Sequence, residues 1–225
     1  MIQKIFGFVK KATLWFFAIS IFFVILFRFV PVPFTPLMAF RFFENTSDKK
    51  EVYFSHDWES INNISPHLQK AVIASEDATF LTHHGFDFDA MGKAFKNNEK
   101  GKKLRGGSTI SQQTAKNVFL WQGRSYIRKG LEAYFTVLIE VFWSKERIME
   151  VYLNSIEMGN GVYGAQAASR FWYSKDADKL TQREAAGIAA ILPNPRKFAA
   201  SNSTSYINRR KNRIMNHMRY VKLDY

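Results

Sequence analysis

The feature that most constrains this chain lies near its start. Residues 12–27 carry no charge and are nearly all large and apolar, and Phe29 and Val30 extend the run past Arg28. A helix that crosses a bilayer needs about 20 such residues. Arg28 at one end, and Lys10 and Lys11 at the other, can reach the two head-group layers. No polar face exists within the run, which argues against the core helix of a soluble domain. The Val-Pro-Val-Pro stretch at 30–33 lacks the small residues of a signal-peptidase site. The expectation is an anchor over 12–30 behind a short N-terminal segment, 1–11. Lys4, Lys10 and Lys11, with no acidic residue among them, favour a cytoplasmic N-terminus, a bias that Arg28 and Arg41 weaken. Pro31, Pro33 and Pro36 prevent helix continuation and predict a stiff neck over 31–44. Its Phe34, Leu37, Met38, Phe40, Phe42 and Phe43 can lie in the membrane interface.

Residues 45–225 then make one domain of ordinary size. The chain's net charge of +13 calls for an anionic partner; nucleic acid, phosphorylated lipid and an anionic membrane surface all satisfy it. The absence of cysteine excludes disulfides, thiol catalysis and cysteine-ligated metal. No stretch alternates like a strand, so the body reads as mainly α. Its first clear helix begins at Ser65-Pro66, a cap followed by proline at the first helical position. Leu68, Ala71, Val72 and Ser75 form one stripe on this helix, and Glu76 ends it. A carboxylate there is either a desolvated proton acceptor or a helix-end glutamate paired with a base. His83 and His84 are adjacent and cannot share a helix face, which makes a two-histidine zinc site improbable. His83 reads as structural.

Lys102, Lys103 and Arg105 precede Gly106-Gly107-Ser108-Thr109-Ile110-Ser111-Gln112-Gln113, with Lys116 and Asn117 following. Thr109 and Gln112 have the spacing of a capping box, so a helix starts here. Its free N–H groups and Lys116, one turn beyond Gln112, suit a diphosphate. An ordinary loop-to-helix start with a solvated Lys116 fits the spacing equally. Arg124, Arg128 and Glu132 follow at four-residue steps, with Lys129 beside them. Guanidinium forks match phosphate oxygens, but the same spacing describes a salt-bridge ladder. Glu140 lies in an apolar stretch and needs a partner if buried. Further helices are expected over 145–154, 165–171 and 181–192, with Gly159, Gly161 and Gly164 turning the chain between the first two. A basic helix over 209–219 reads as a solvated face.

Taken in order, these stretches resemble the peptidoglycan glycosyltransferases of family 51. Glu76-Asp77-x-x-Phe80-x-x-His83-x-Gly85 looks like the family's first motif, and Gly106 to Gln113 with Lys116-Asn117 like the second. Arg128-Lys129-x-x-Glu132 resembles the third, and Lys145-x-x-Ile148-x-Glu150-x-Tyr152-Leu153-Asn154 the fourth. Gly161-Val162-Tyr163-Gly164, Glu184-Ala185-Ala186 and Leu192-Pro193-Asn194-Pro195 continue the order. Ser111 stands where threonine is usual, and Phe171-Trp172-Tyr173 where Tyr-Phe-Gly is. Ser47-x-x-Lys50 mimics a transpeptidase nucleophile, but no Lys-Thr-Gly follows it. The likeness is greatest to the monofunctional, Gram-negative branch, which lacks a transpeptidase domain.

The resemblance implies a lysozyme-like, two-lobed, mainly α domain behind a single membrane helix, on the periplasmic side of a bacterial inner membrane. It implies polymerisation of lipid II with inversion and release of undecaprenyl diphosphate. Glu76 and Glu132 would be catalytic; Lys116, Arg124, Arg128, Ser108 and Thr109 would bind the diphosphate. Asp77, Gln112, Gln113, Asn117 and Lys129 would position substrate or the groove wall. Glu132 would hold the bases in place or recruit a divalent cation, Mg or Mn, at the diphosphate. Partners would be lipid II, the growing glycan chain and the membrane, with division or penicillin-binding proteins as further candidates. Nucleic acid would lie across the membrane from the domain.

Overall fold

The computed structural model describes residues 2–47, 53–92, 107–123 and 125–225. Helix α1 covers Ile2–Phe29, ten residues more at its N-terminal end than the apolar run requires, because nothing in 2–11 breaks a helix. Most of its large side chains are exposed, among them Phe6, Phe8, Trp15 and Phe22. It is long and apolar enough to cross a membrane. Residues 31–35 are non-helical, as the prolines demand. Pro36 then opens a second helix, α2 (Pro36–Ser47), at whose start the Thr35 hydroxyl accepts from Met38 N at 3.3 Å. The expected boundary between residues 44 and 45 therefore falls inside a helix.

Behind the neck the chain builds two helical groups. One consists of α3 (Pro66–Glu76), α8 (Gln182–Ile191) and α9 (Ser205–Met218), which pack on one another. The other consists of α4 (Ile110–Phe119), α5 (Tyr126–Phe142) and α6 (Lys145–Ser155). The small residues Ala185, Ala186, Ala189 and Ala190 let α8 approach its neighbours closely and are buried. Helix α9 is not merely a solvated face: Ile207, Lys211, Ile214 and Met218 fall at helical spacing and are buried.

A three-stranded sheet has the order β1-β3-β2, with β1 (Ser55–His56) parallel and β2 (Glu157–Gly159) antiparallel to β3 (Val162–Tyr163). Strands of two or three residues are too short for alternation to show in sequence. Gly161 has φ +72°, and a Cβ there would stand 1.9 Å from the Tyr53 carbonyl oxygen, so only glycine closes this turn. Helix α7 (Ala165–Tyr173) follows from Gly164.

Helix α1 is fastened to the second group. Ser20 Oγ and Tyr134 OH share a hydrogen bond of 2.7 Å, and Trp143 Nε1 donates to the Val24 carbonyl at 2.7 Å. At the C-terminal end of α1, Arg147 donates to the carbonyls of Phe27 and Val30. Those carbonyls have no helical partner, so Arg147 caps the anchor from outside.

Candidate active site

Helix α3 places Glu76 at its last turn, at the junction of the two groups. Gln113 Nε2 donates to Glu76 Oε2 at 3.2 Å, and Tyr152 OH donates to Gln113 Oε1 at 3.3 Å. Tyr152 is completely buried, so this relay fixes the amide's orientation from the α6 side. Burial is the largest influence on Glu76 and raises its pKa; the Gln113 hydrogen bond and the Arg210 charge oppose this, and Asp77 adds to it. A carboxylate in such a place is a stronger proton acceptor than an exposed one.

The adjacent Asp77 does a different job. Its carboxylate accepts from Ile110 N at 2.9 Å and from His83 Nε2 at 2.9 Å and 3.0 Å. Gly85 N donates to His83 Nδ1 at 3.1 Å, which fixes the neutral tautomer with its proton on Nε2. Asp77 is thus the anion at the start of α4. The capping box forms as expected: Thr109 Oγ1 accepts from Gln112 N at 3.1 Å, and Gln112 Oε1 accepts from Thr109 N at 3.0 Å. Thr109 Oγ1 donates to Gly85 O at 2.7 Å. These bonds correct the expectation that the start of α4 and the Thr109 hydroxyl face a diphosphate, because protein groups already occupy them. Ser108 is exposed; Gln112 and Asn117 are buried in the wall.

The cationic cluster lies on the other flank. Arg128 Nη1 donates to Glu132 Oε2 at 2.7 Å, and Lys129 Nζ donates to Glu132 Oε1. Glu132 is buried, and its two oxygens hold the two cations apart. Arg128 Nε is buried with no hydrogen-bond partner among the described residues. The Lys116 side chain, on α4, makes no hydrogen bond or ion pair among the described residues. Desolvation lowers its pKa most; Glu132 raises it, while Arg128, Lys129 and Arg41 lower it, which places all five charges in one electrostatic neighbourhood. Such a cluster, short of negative charge, is ready for an anion. Arg124 lies outside the described residues, as do Lys102, Lys103, Arg105 and Gly106.

Glu140 finds its partners in Ser111 Oγ and in Lys145 Nζ, the latter at 2.8 Å. This partly buried bridge ties α4, α5 and α6 together. Among the described residues no group of three or more His, Asp or Glu is arranged to hold a metal ion.

Four residues at or near the site escape the sequence reading. Tyr152 stands there only as a residue of the fourth motif, Arg210 as part of a solvated helix, and Arg41 and Arg147 carry no role in a site. Arg210 Nε donates to Ala190 O at 3.1 Å, which holds its charge near Glu76. Nothing local in the sequence signals this, because α3 and α9 meet only in the fold.

A family model described as "Transglycosylase" matches residues 44–219. Over 220 residues the chain is 52% identical to a biosynthetic peptidoglycan transglycosylase of Bacteroides thetaiotaomicron, covering 98% of this chain and 89% of the relative. A protein of the same description from Caulobacter vibrioides is 56% identical over 85% of this chain and 81% of its own length. One from Pseudomonas syringae is 50% identical over 98% and 94%.

Proposed function

This chain belongs to the transglycosylase family, and from that premise we propose how its geometry builds glycan strands. It is a peptidoglycan transglycosylase with the mainly α, lysozyme-like domain of that family, which fills 44–219 of these 225 residues. The substrate is lipid II, presented at the outer face of the inner membrane, with α1 spanning the bilayer and its lysine-bearing end in the cytoplasm.

Glu76 accepts the proton of the acceptor's 4-hydroxyl as that oxygen attacks C1 of the donor sugar. The bond from C1 to the diphosphate breaks on the opposite face, so the anomeric configuration inverts, and undecaprenyl diphosphate carries away the bonding electrons. The relay from Tyr152 through Gln113 supports this role, since it aims one oxygen of Glu76 and leaves the other for the incoming hydroxyl.

The leaving diphosphate gathers charge as the bond breaks and needs preorganised cations. Lys116, Arg128 and Lys129 supply them, and Arg124 belongs with them by its spacing. Glu132, with both oxygens paired to Arg128 and Lys129, serves as the post that spaces the cations. In this reading Glu132, each oxygen of which is engaged by a cation, spaces Arg128 and Lys129 and does not recruit a divalent ion.

The observation that carries this reading is that one helix, α4, brings Gln113, hydrogen-bonded to the desolvated Glu76, and Lys116 of the cationic cluster within one turn of each other. A glycan-cleaving enzyme would use Glu76 but would have no need of the cluster. Purified full-length protein in liposomes with labelled lipid II should give glycan strands on a gel. Release of muropeptides from intact sacculi, with no strands from lipid II, would transfer the site to the cleaving reaction.

A further inference from the structure

A further cationic recess shares Arg41 with the electrostatic neighbourhood of Lys116 but holds none of the groups assigned to the transfer step. It is an open cavity of about 490 Å³ lined by Arg41 of α2, Asn160 of the β2–β3 turn, and Asn194, Arg196 and Lys197 of the segment after α8. Glu44 organises it: its Oε2 accepts from Arg41 Nη1 at 2.6 Å and from Arg196 Nη1 at 2.9 Å, so one carboxylate holds two guanidinium groups side by side. Arg196 Nε also donates to Asn160 Oδ1 at 3.1 Å. Arg41 Nε stands 3.2 Å from Glu157 Oε2, an ion-pair distance without hydrogen-bond alignment. Lys197 is exposed and has no ion pair among the described residues. Nothing in the proposed transfer step uses any of these groups.

The position of the recess narrows its ligand. Only residues 30–35 separate the end of α1 from α2, and a chain of that length spans at most about 20 Å. The recess therefore lies within reach of the head-group layer. The Phe34, Phe40, Phe42, Phe43 and Phe54 side chains, on or next to α2, are all exposed and offer an apolar surface beside it.

We propose that the recess of Arg41, Arg196 and Lys197 binds the phosphate head group of a membrane lipid whose chain lies along the α2 phenylalanines. Two sources carry that chemistry: the diphosphate of the second lipid-linked substrate, and the anionic phospholipid of the bilayer. The inference builds on the polymerase reading, but phosphate-lipid binding can be measured without turnover.

The test is native mass spectrometry of the full-length protein in detergent with undecaprenyl diphosphate and, separately, phosphatidylglycerol. Wild type is compared with Lys197→Gln, the double variant Arg196→Gln/Lys197→Gln, and the surface control Lys179→Gln. Losing one charged hydrogen bond should lower retention of the cognate lipid about tenfold, and the double variant should lower it further. Polymerisation in vesicles of neutral lipid, with and without phosphatidylglycerol, separates the sources. A raised KM for lipid II in both vesicle types assigns the site to substrate; a defect only where phosphatidylglycerol is present assigns it to the bilayer. Retention of both lipids at the level of the Lys179→Gln control would overturn the proposal. A wild type that retains phosphate lipid but makes no strands would refute the polymerase reading and leave the recess standing.

Discussion

Replacing Asp77 by alanine should damage the fold before it damages the chemistry. The carboxylate is buried and satisfies two donors, Ile110 N at the start of α4 and His83 Nε2. Alanine leaves both donors without a partner, at about 1–3 kcal/mol each, so about 3–4 kcal/mol in total is a reasonable central figure. For a domain of this size each kcal/mol lowers Tm by about 2–4 °C, which predicts a fall of about 6–16 °C. The Asp77→Asn variant would keep one acceptor and should lose roughly half as much. The assay is thermal unfolding of the detergent-solubilised protein followed by far-UV circular dichroism, with steady-state transfer measured well below the transition. There, Asp77→Asn should retain most of the wild-type rate. A Tm within about 1 °C of wild type together with a collapse of kcat would refute the reasoning, because Asp77 would then act on substrate and not as the anchor of α4.

Other perturbations follow from the same geometry. Burial raises the Glu76 pKa in the folded state, so stability should fall as pH rises through the unfolded and then the folded value. Glu76→Gln should accordingly have a higher Tm than wild type at pH 7–8, by a margin that shrinks near pH 4; a margin that grows on acidification contradicts the burial argument. The acid limb of kcat/KM for wild type should lie above the ordinary carboxylate range, about 4.3, and a limb below it would mean that another group is the base. Tyr152→Phe removes the donor to Gln113 and should slow transfer about three- to tenfold with little change in KM, matching the loss of about 1 kcal/mol of orientation; an unchanged kcat would remove Tyr152 from the relay. Gly161→Ala should fail to accumulate as folded protein, since its Cβ would sit 1.9 Å from the Tyr53 oxygen, and normal expression with a wild-type Tm would count against the turn's stringency.

Much of this architecture is legible in local sequence because its signals are local. Ser65-Pro66 starts α3, and the Thr109 to Gln112 spacing forms its box, since caps depend on side chains three residues apart. The four-residue step from Arg128 to Glu132 becomes a real ion pair for the same reason. What the sequence hides depends on contacts between distant segments. Asp77 reaches a backbone N–H 33 residues away, so its carboxylate reads as a substrate ligand until the fold brings α4 against it. The Tyr152 hydroxyl meets Gln113 across 39 residues, and Arg147 caps a helix 120 residues earlier. Strands of two or three residues leave no periodicity to read, and α9 conceals a buried face because its charged and polar residues together outnumber its apolar ones.

The central claim is that one desolvated carboxylate, Glu76, takes the proton while the Lys116 cluster takes the leaving group. The most direct measurement is the initial rate of strand formation from labelled lipid II by Glu76→Gln in liposomes, on protein whose Tm shows it to be folded. The account predicts a loss of about 10²–10⁴-fold, the range of a positioned general base, with Tm at or above that of wild type. A folded Glu76→Gln enzyme that makes strands at more than about a tenth of the wild-type rate would contradict it.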